Sequence, residues 1–387
     1  MSKFQIIEIN SLKEIDKIKN DWYDLLNTLP TNNIYTDPDF FYRLFNSRAK
    51  NAIPHIVLFK KNDKVKAILI GWKTNIRIPI WLGYIKFDSS ELKALEIEID
   101  GLLTDGDEES KVSVVNYLNS LLKKQDIELL IANHFSSQNI FYDVLTNGLE
   151  NRKAIYRPGL EWTSIIRDSE TGEAANFHNA WTGQTFRRKD RKILKYFDQK
   201  LEVKLFQIPD DVKIFIEHAE KISKKSYHVA LGVGIQNNDY WNKLFLAMAE
   251  GGYFRGYLLM SGEIPIAYYQ GAEYKDVFYA FTTAYDSDYS KLSPGSYLLR
   301  RVIDLSVKSK LNIFHFGYGD AEHKQLYGNI SVDESSFKIY GSSFSAKFVR
   351  FLDSSTLFIN ETILGFLKRR GWLNKIKKIW RSKLAKK

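Results

Sequence analysis

A chain of 387 residues has room for two domains, and its 44% hydrophobic and 14% aromatic content excludes wholesale disorder. With no cysteine, it cannot be a disulfide-stapled fold, a thiolate zinc site, an iron–sulfur protein or a cysteine-nucleophile enzyme. The formal charge of +10 sits at one end: residues 366–387 hold ten Lys or Arg and no acid, and the other 46 basic residues balance 46 acidic ones.

The first twenty residues show no uninterrupted apolar leader, and no window approaches the ~20 apolar residues of a spanning helix, so a cytoplasmic protein is expected. Residues 11–26 predict a helix with Ile15, Ile18, Trp22, Leu25 and Leu26 on one face and Ser11 as its N-cap. Residues 34–37 predict a short extended piece, followed by a helix opened at Asp37 with Pro38 in its first turn. Residues 55–60 and 65–72 predict a hairpin, residues 107–124 a helix, and residues 127–132 an apolar strand. His55 and His134 stand beside strand-like runs and are expected to be structural.

A second unit begins near residue 177. It opens with a basic helix over residues 185–197, carrying Phe186, Ile193, Leu194 and Phe197 inward, then a strand and two helices. Residues 253–260, 264–271 and 277–284 are three strands whose short connections force antiparallel neighbours. A helix follows Ser293-Pro294-Gly295, and residues 312–316 form a strand parallel to the one before that helix. Ser293 is expected as a hydroxyl cap and Pro294 as the first helical residue, while Gly295 leaves the backbone open. Free amides at Gly295, Ser296 and Tyr297 would suit a phosphate, with Lys291 adding charge.

Several motifs in this order resemble the CelD/BcsL-like acetyltransferases, a branch of the GNAT acyl-CoA N-acyltransferases related to the FemABX peptidyltransferases. They are Arg187-Arg188, Gly262-Glu263-Ile264-Pro265, Ser293-Pro294-Gly295, and Phe314-His315-Phe316-Gly317-Tyr318-Gly319-Asp320 with His323-Lys324. Trp22 and Tyr35-Thr36-Asp37-Pro38 resemble the family's N-terminal half. His315 and His323 depart from the family's usual Asp and Tyr. The resemblance implies an α/β protein of two tandem GNAT-like domains, residues 1–170 and 171–350, each a mixed, mostly antiparallel sheet flanked by helices. A basic amphipathic tail, 351–387, follows.

It further implies acyl transfer from acetyl-CoA or another acyl-CoA to an amine of a sugar or envelope precursor, without a metal. Such a reaction needs a base for the amine, a hydrogen bond for the oxyanion and a proton for the thiolate. His315, Asp320, His323, Lys324 and Tyr285 are the candidate catalytic groups. Strand alternation leaves open whether His315 faces the cleft or the opposite layer. Tyr268, Gln270, Arg187 and Arg188 are the candidate substrate-binding groups. An aminoacyl-tRNA-dependent FemABX-like transferase and an inert scaffold of a polysaccharide locus are the alternatives. His-Glu-x-x-His and Gly-x-x-x-x-Gly-Lys-Ser/Thr are absent, which leaves no metal-hydrolase or P-loop reading. The tail's stripe of Leu373, Ile376, Trp380 and Leu384 suits either an anionic membrane surface or docking on the body. Nucleic acid is not expected, since no interleaved aromatic and basic strands accompany the tail.

Overall fold

A computed structural model describes residues 4–29, 33–45, 47, 51–83, 85–149, 152, 154–175, 184–226, 234–319 and 321–370. The chain forms two compact units, Met1–Gly159 with Asp333–Lys386, and Leu160–Val332. Each is a mixed, mostly antiparallel sheet flanked by helices.

In the first unit the strands are β1 (Gln5–Ile9), β2 (Ile53–Lys61), β3 (Lys64–Leu82), β4 (Ile85–Thr104) and β5 (Leu129–Ser136). They lie in that order, with only β4 and β5 parallel. The returning strand β12 (Ile330–Tyr340) then pairs antiparallel with β5. The β2–β3 turn has Asn62 and Asp63 both at positive φ, as a two-residue hairpin demands. Helix α1 (Leu12–Leu26) buries the five expected side chains, and Trp22 Nε1 donates to the Thr36 carbonyl at 3.0 Å. Ser11 stands at its N-cap without a side-chain bond.

Residues 34–36 are not extended; Ile34–Thr36 is a 3-10 turn. Asn33 Oδ1 accepts the Tyr35 amide at 3.1 Å, and Asp37 Oδ1 accepts the Phe40 amide at 2.9 Å. Side-chain bonds of this kind bend the backbone locally where propensity alone would leave it straight. Asp37 thereby opens α2 (Pro38–Phe45). Helices α3 (Glu108–Lys123), α4 (Tyr142–Asn147) and α10 (Phe344–Arg369) complete the unit. Residues 371–387, with the tail's predicted stripe, lie outside the described residues.

In the second unit β7 (Leu201–Phe206), β8 (Phe254–Ser261), β9 (Ile264–Tyr274) and β10 (Val277–Tyr285) form an antiparallel run. Strand β11 (Ile313–Tyr318) pairs parallel with β10, and β6 (Ile155–Ile165) pairs antiparallel with β11 through its second half. Helix α8 (Pro294–Lys308) connects β10 to β11 and buries Leu298, Leu299 and Val302, with Leu305 partly covered. Helix α5 (Gln184–Tyr196) joins the same core through Ile193 and is tied to α8 by Asp190 on Arg300. Helices α6 (Pro209–Lys225) and α7 (Asp239–Glu250) and the short α9 (Glu322–Tyr327) close the unit. Among the described residues, no helix is long and apolar enough to cross a membrane.

Candidate active site

The parallel strands β10 and β11 pair over three residues only, from Val277 opposite Ile313 to Tyr279 opposite His315. Register shifts fall just past that point on both, between Ala280 and Thr282 on β10 and between His315 and Gly317 on β11. Such bulges bend a strand. From there β10 follows β9 to Tyr285 while β11 follows β6 to Tyr318. The sheet opens between them into a cavity of about 510 Å³. Its walls are residues 280–285 of β10, Phe316 of β11 and Tyr269 of β9, with Trp241 from α7. Gly295, Ser296 and Leu299 of α8, and His323 and Lys324 of α9, complete it. A crevice at the carboxyl end of parting parallel strands, under a helix N-terminus, is a favoured ligand position.

The start of α8 differs from expectation in two details. Ser293 is left-handed (φ 54°) and its hydroxyl caps nothing. It closes the preceding 3-10 turn, Ser287–Leu292, by donating its amide to the Ser290 carbonyl at 3.1 Å. A residue so turned cannot aim its side chain at the first-turn amides as an extended cap does. The Tyr297 amide is not free either, since it donates to the Ser293 carbonyl at 3.1 Å. Two amides, Gly295 and Ser296, therefore precede the helix's first internal bond, and both residues line the cavity. A Cβ on Gly295 would stand 3.2 Å from Tyr285 Cδ1, so a side chain here would press on the Tyr285 ring. Pro294 is buried at the first helical position, and Lys291 is exposed outside the lining.

His323 and Lys324 enter from α9. Burial, and then the charge of Lys324, holds the His323 imidazole below its usual pKa. Lys324 Nζ donates to the Tyr318 carbonyl at 2.5 Å. Tyr285 lies across the cavity wall against Gly295. Asp320 lies outside the described residues.

His315 is turned away. Phe314 and Phe316 take the face of the core that holds Leu299, so alternation sends His315 to the other layer. There it packs on Tyr279 with ring centres 5.1 Å apart. Its Nδ1 accepts the Gly317 amide at 3.0 Å, and its Nε2 donates to Glu161 at 2.6 Å. Both nitrogens are thus committed, in the Nε2–H tautomer.

The same parity displaces Tyr268 and Gln270. Both are fully buried, with the Tyr268 hydroxyl 3.3 Å from Ser223 Oγ and Gln270 Nε2 donating to the Gly271 carbonyl at 2.9 Å. The residue between them, Tyr269, reaches the cavity. Arg187 and Arg188 are exposed on α5 and do not line it. Sequence reasoning passed over Tyr269, Trp241, Phe316 and the strand segment 280–284. Alternation counted from Leu298-facing Phe314 and Phe278 would have found the face but not the gap. Among the described residues no His, Asp and Glu group could hold a metal ion.

Residues 182–325 match the family model for an acetyltransferase (GNAT) domain. FemX is similar in structure at 10% identity, with 90% of this chain and 100% of that chain covered and a TM-score of 0.58. The C-terminal DUF2156 domain of an Agrobacterium fabrum protein, described as a lysylphosphatidylglycerol synthetase, covers 89% of this chain and 97% of its own. Its identity is 9% and its TM-score 0.50. A tandem GNAT protein of the clavulanic acid biosynthesis pathway covers 88% of this chain and 100% of its own, at 10% identity and a TM-score of 0.48. At these identities FemX and the DUF2156 domain share the fold. No curated protein matches the chain.

Proposed function

We propose that the chain is a GNAT-type N-acyltransferase, a reading that the match of residues 182–325 supports, and that it is a CelD/BcsL-like, acyl-CoA-dependent enzyme that acylates an amine of a sugar or envelope-polysaccharide precursor. One observation carries this: the cavity opens where β10 and β11 part, beneath two amides at the start of α8 that the N-cap side chain does not bond. The Gly295 and Ser296 amides and the α8 dipole would receive the donor's pyrophosphate. Ser293 and Pro294 hold that turn in place, and Lys291 lies near enough in sequence to add charge. The mostly apolar wall of β10 and Leu299 would exclude water from the thioester.

In the reaction the amine nitrogen bonds to the acyl carbon, the carbon–sulfur bond breaks, and the amine proton must leave. His323 is the base in this scheme, because burial and Lys324 keep it unprotonated near neutral pH. Lys324 sets a positive charge beside the developing oxyanion. The Tyr285 hydroxyl returns a proton to the leaving thiolate. Asp320 stays in the scheme as a candidate carboxylate partner for a histidine base. His315, bonded to Glu161 and Gly317, positions β11 rather than touching substrate. No step needs a cysteine, and the chain has none.

Calorimetric titration with acetyl-CoA tests this beside Gly295→Trp, whose indole would fill the space between α8 and Tyr285. Saturable micromolar binding, lost in the variant while its melting curve persists, is the expected result. If acetyl-CoA and longer acyl-CoAs fail to bind, the donor assignment falls. An aminoacyl-tRNA would then be the donor to try, given the fold shared with FemX.

A further inference from the structure

Helix α10 is apolar on two opposite faces. One packs inward through Ala346, Val349 and Thr356, with Asp353 in the same stripe taking Lys338 and Tyr340 at 2.8 Å. On the other, Phe344, Phe348, Phe351, Phe358 and Phe366 recur at helical spacing and are 86, 52, 66, 71 and 52% exposed. A helix lying on a sheet ordinarily turns polar residues outward; a run of exposed phenylalanines marks an interaction surface.

The helix is also tied to a neighbouring hairpin. Asn360 clasps the tip of the β3–β4 hairpin, donating from Nδ2 to the Trp81 carbonyl at 2.7 Å and accepting the Gly83 amide on Oδ1 at 2.8 Å. The tip presents Trp81 and Ile85, 45 and 68% exposed, beside Lys86. At the other end the helix finishes in Arg369 and Arg370 and leads into a segment, 366–387, with ten basic residues and no acid.

We propose that this face of the first unit seats on an anionic lipid bilayer. The phenylalanines would enter the headgroup–acyl boundary, and the terminal cations would meet lipid phosphates. Charge decides against a second copy as the occupant. A pair of chains meeting on this face would each bring a ten-cation segment with no acid to answer it, whereas anionic lipid neutralises both segments. The surface shares no residue with the acyltransferase cavity, so the proposal stands apart from that function.

Flotation of the full chain tests it, with vesicles of phosphatidylcholine alone and of phosphatidylcholine with phosphatidylglycerol in a two-to-one ratio. The chain should float with the anionic vesicles and not the neutral ones. Phe351→Ser with Phe358→Ser should weaken binding roughly tenfold or more. Both side chains are exposed, so melting temperature and acetyl-CoA binding should not change. Equal flotation with both vesicles, or none with either, overturns the proposal. So does full binding by the Phe351/Phe358 variant, which would reduce the contact to adsorption of the basic tail. A concentration-dependent dimer in sedimentation, abolished by the Phe351/Phe358 pair, would assign the face to self-association instead.

Discussion

Each unit contains one parallel strand pair joined through a helix, and the two helices begin in opposite ways. In the first unit α3 connects β4 to β5 and starts from Asp107, with Glu108 and Glu109 in its first turn. In the second, α8 connects β10 to β11 and starts Ser-Pro-Gly-Ser, with no acid in its first turn; neither helix has a side-chain bond from its N-cap. Acids at a helix N-terminus complement the dipole and stabilise the helix by about 0.3–1 kcal/mol each, but they also repel any anion. The strands differ in the same sense. Past its parallel stretch β5 carries Phe135, buried with Phe141 and Leu145, whereas β10 and β11 separate onto a cavity. One topology is closed by packing and the other is left open onto a cavity.

The largest expected effect comes from making α8 resemble α3. Ser296→Glu places a carboxylate among the two cavity amides, where like charges a few ångströms apart at intermediate polarity repel by several kcal/mol. Acyl-CoA binding should weaken roughly a hundredfold, while the melting temperature holds or rises slightly because the new acid suits the dipole. Undiminished affinity in calorimetry would break the contrast between the helices, since α8 would then not be the pyrophosphate site.

A second test separates the histidines. His323 titrates below its usual value because of burial and then Lys324. The acid limb of kcat/KM should therefore lie below about 6.5, the unperturbed histidine value. Removing the cation in Lys324→Met should move that limb upward, since the neighbouring positive charge no longer disfavours protonation. His323→Gln should lower kcat by about a hundredfold and abolish the limb. An unchanged limb in both variants would remove His323 from the role of base. His315→Gln should leave the limb in place, because both its nitrogens are engaged by Gly317 and Glu161 away from the cavity.

These assignments show which features the sequence carries locally. The second unit's meander was legible because β8, β9 and β10 are largely apolar runs with short connections, one turning at Gly262 with φ 57°. The α8 crossover was legible because Pro294 can only open a helix there. Which face of β9 is open was not, since alternation separates Tyr268 from Tyr269 without saying which side lacks a covering layer. The long β3–β4 hairpin beyond Trp72 also escaped, although Ile78, Ile80, Leu92 and Ala94 are buried. Their partners, Ala346 and Val349 on α10, lie far along the chain. The return of β12 to β5 is non-local in the same way. Ser293 is a failure of a different kind: its residue type favours a cap, and the preceding 3-10 turn overrides it.

The last expected effect is one of stability and belongs to the closed unit. His55 is fully buried, with Nδ1 2.7 Å from Asn10 Oδ1 and Nε2 2.8 Å from the Tyr117 hydroxyl. Burial, and then the charge of Lys73, pushes its pKa down to about 3. An unfolded chain would protonate this ring near 6.5. Between those values the unfolded state holds the extra proton, so folding stability is complete above about pH 6.5 and drains as pH falls toward 3. The slope from this one group is about 1.4 kcal/mol per pH unit. Denaturant melts across that range should show it, and a His55→Gln variant, less stable at neutral pH, should show a flatter dependence. Identical slopes would mean that the ring is protonated in the folded state and that Asn10 and Tyr117 solvate a cation. His323, held below its usual pKa by burial and then Lys324, should add a dependence of the same sign in the open unit.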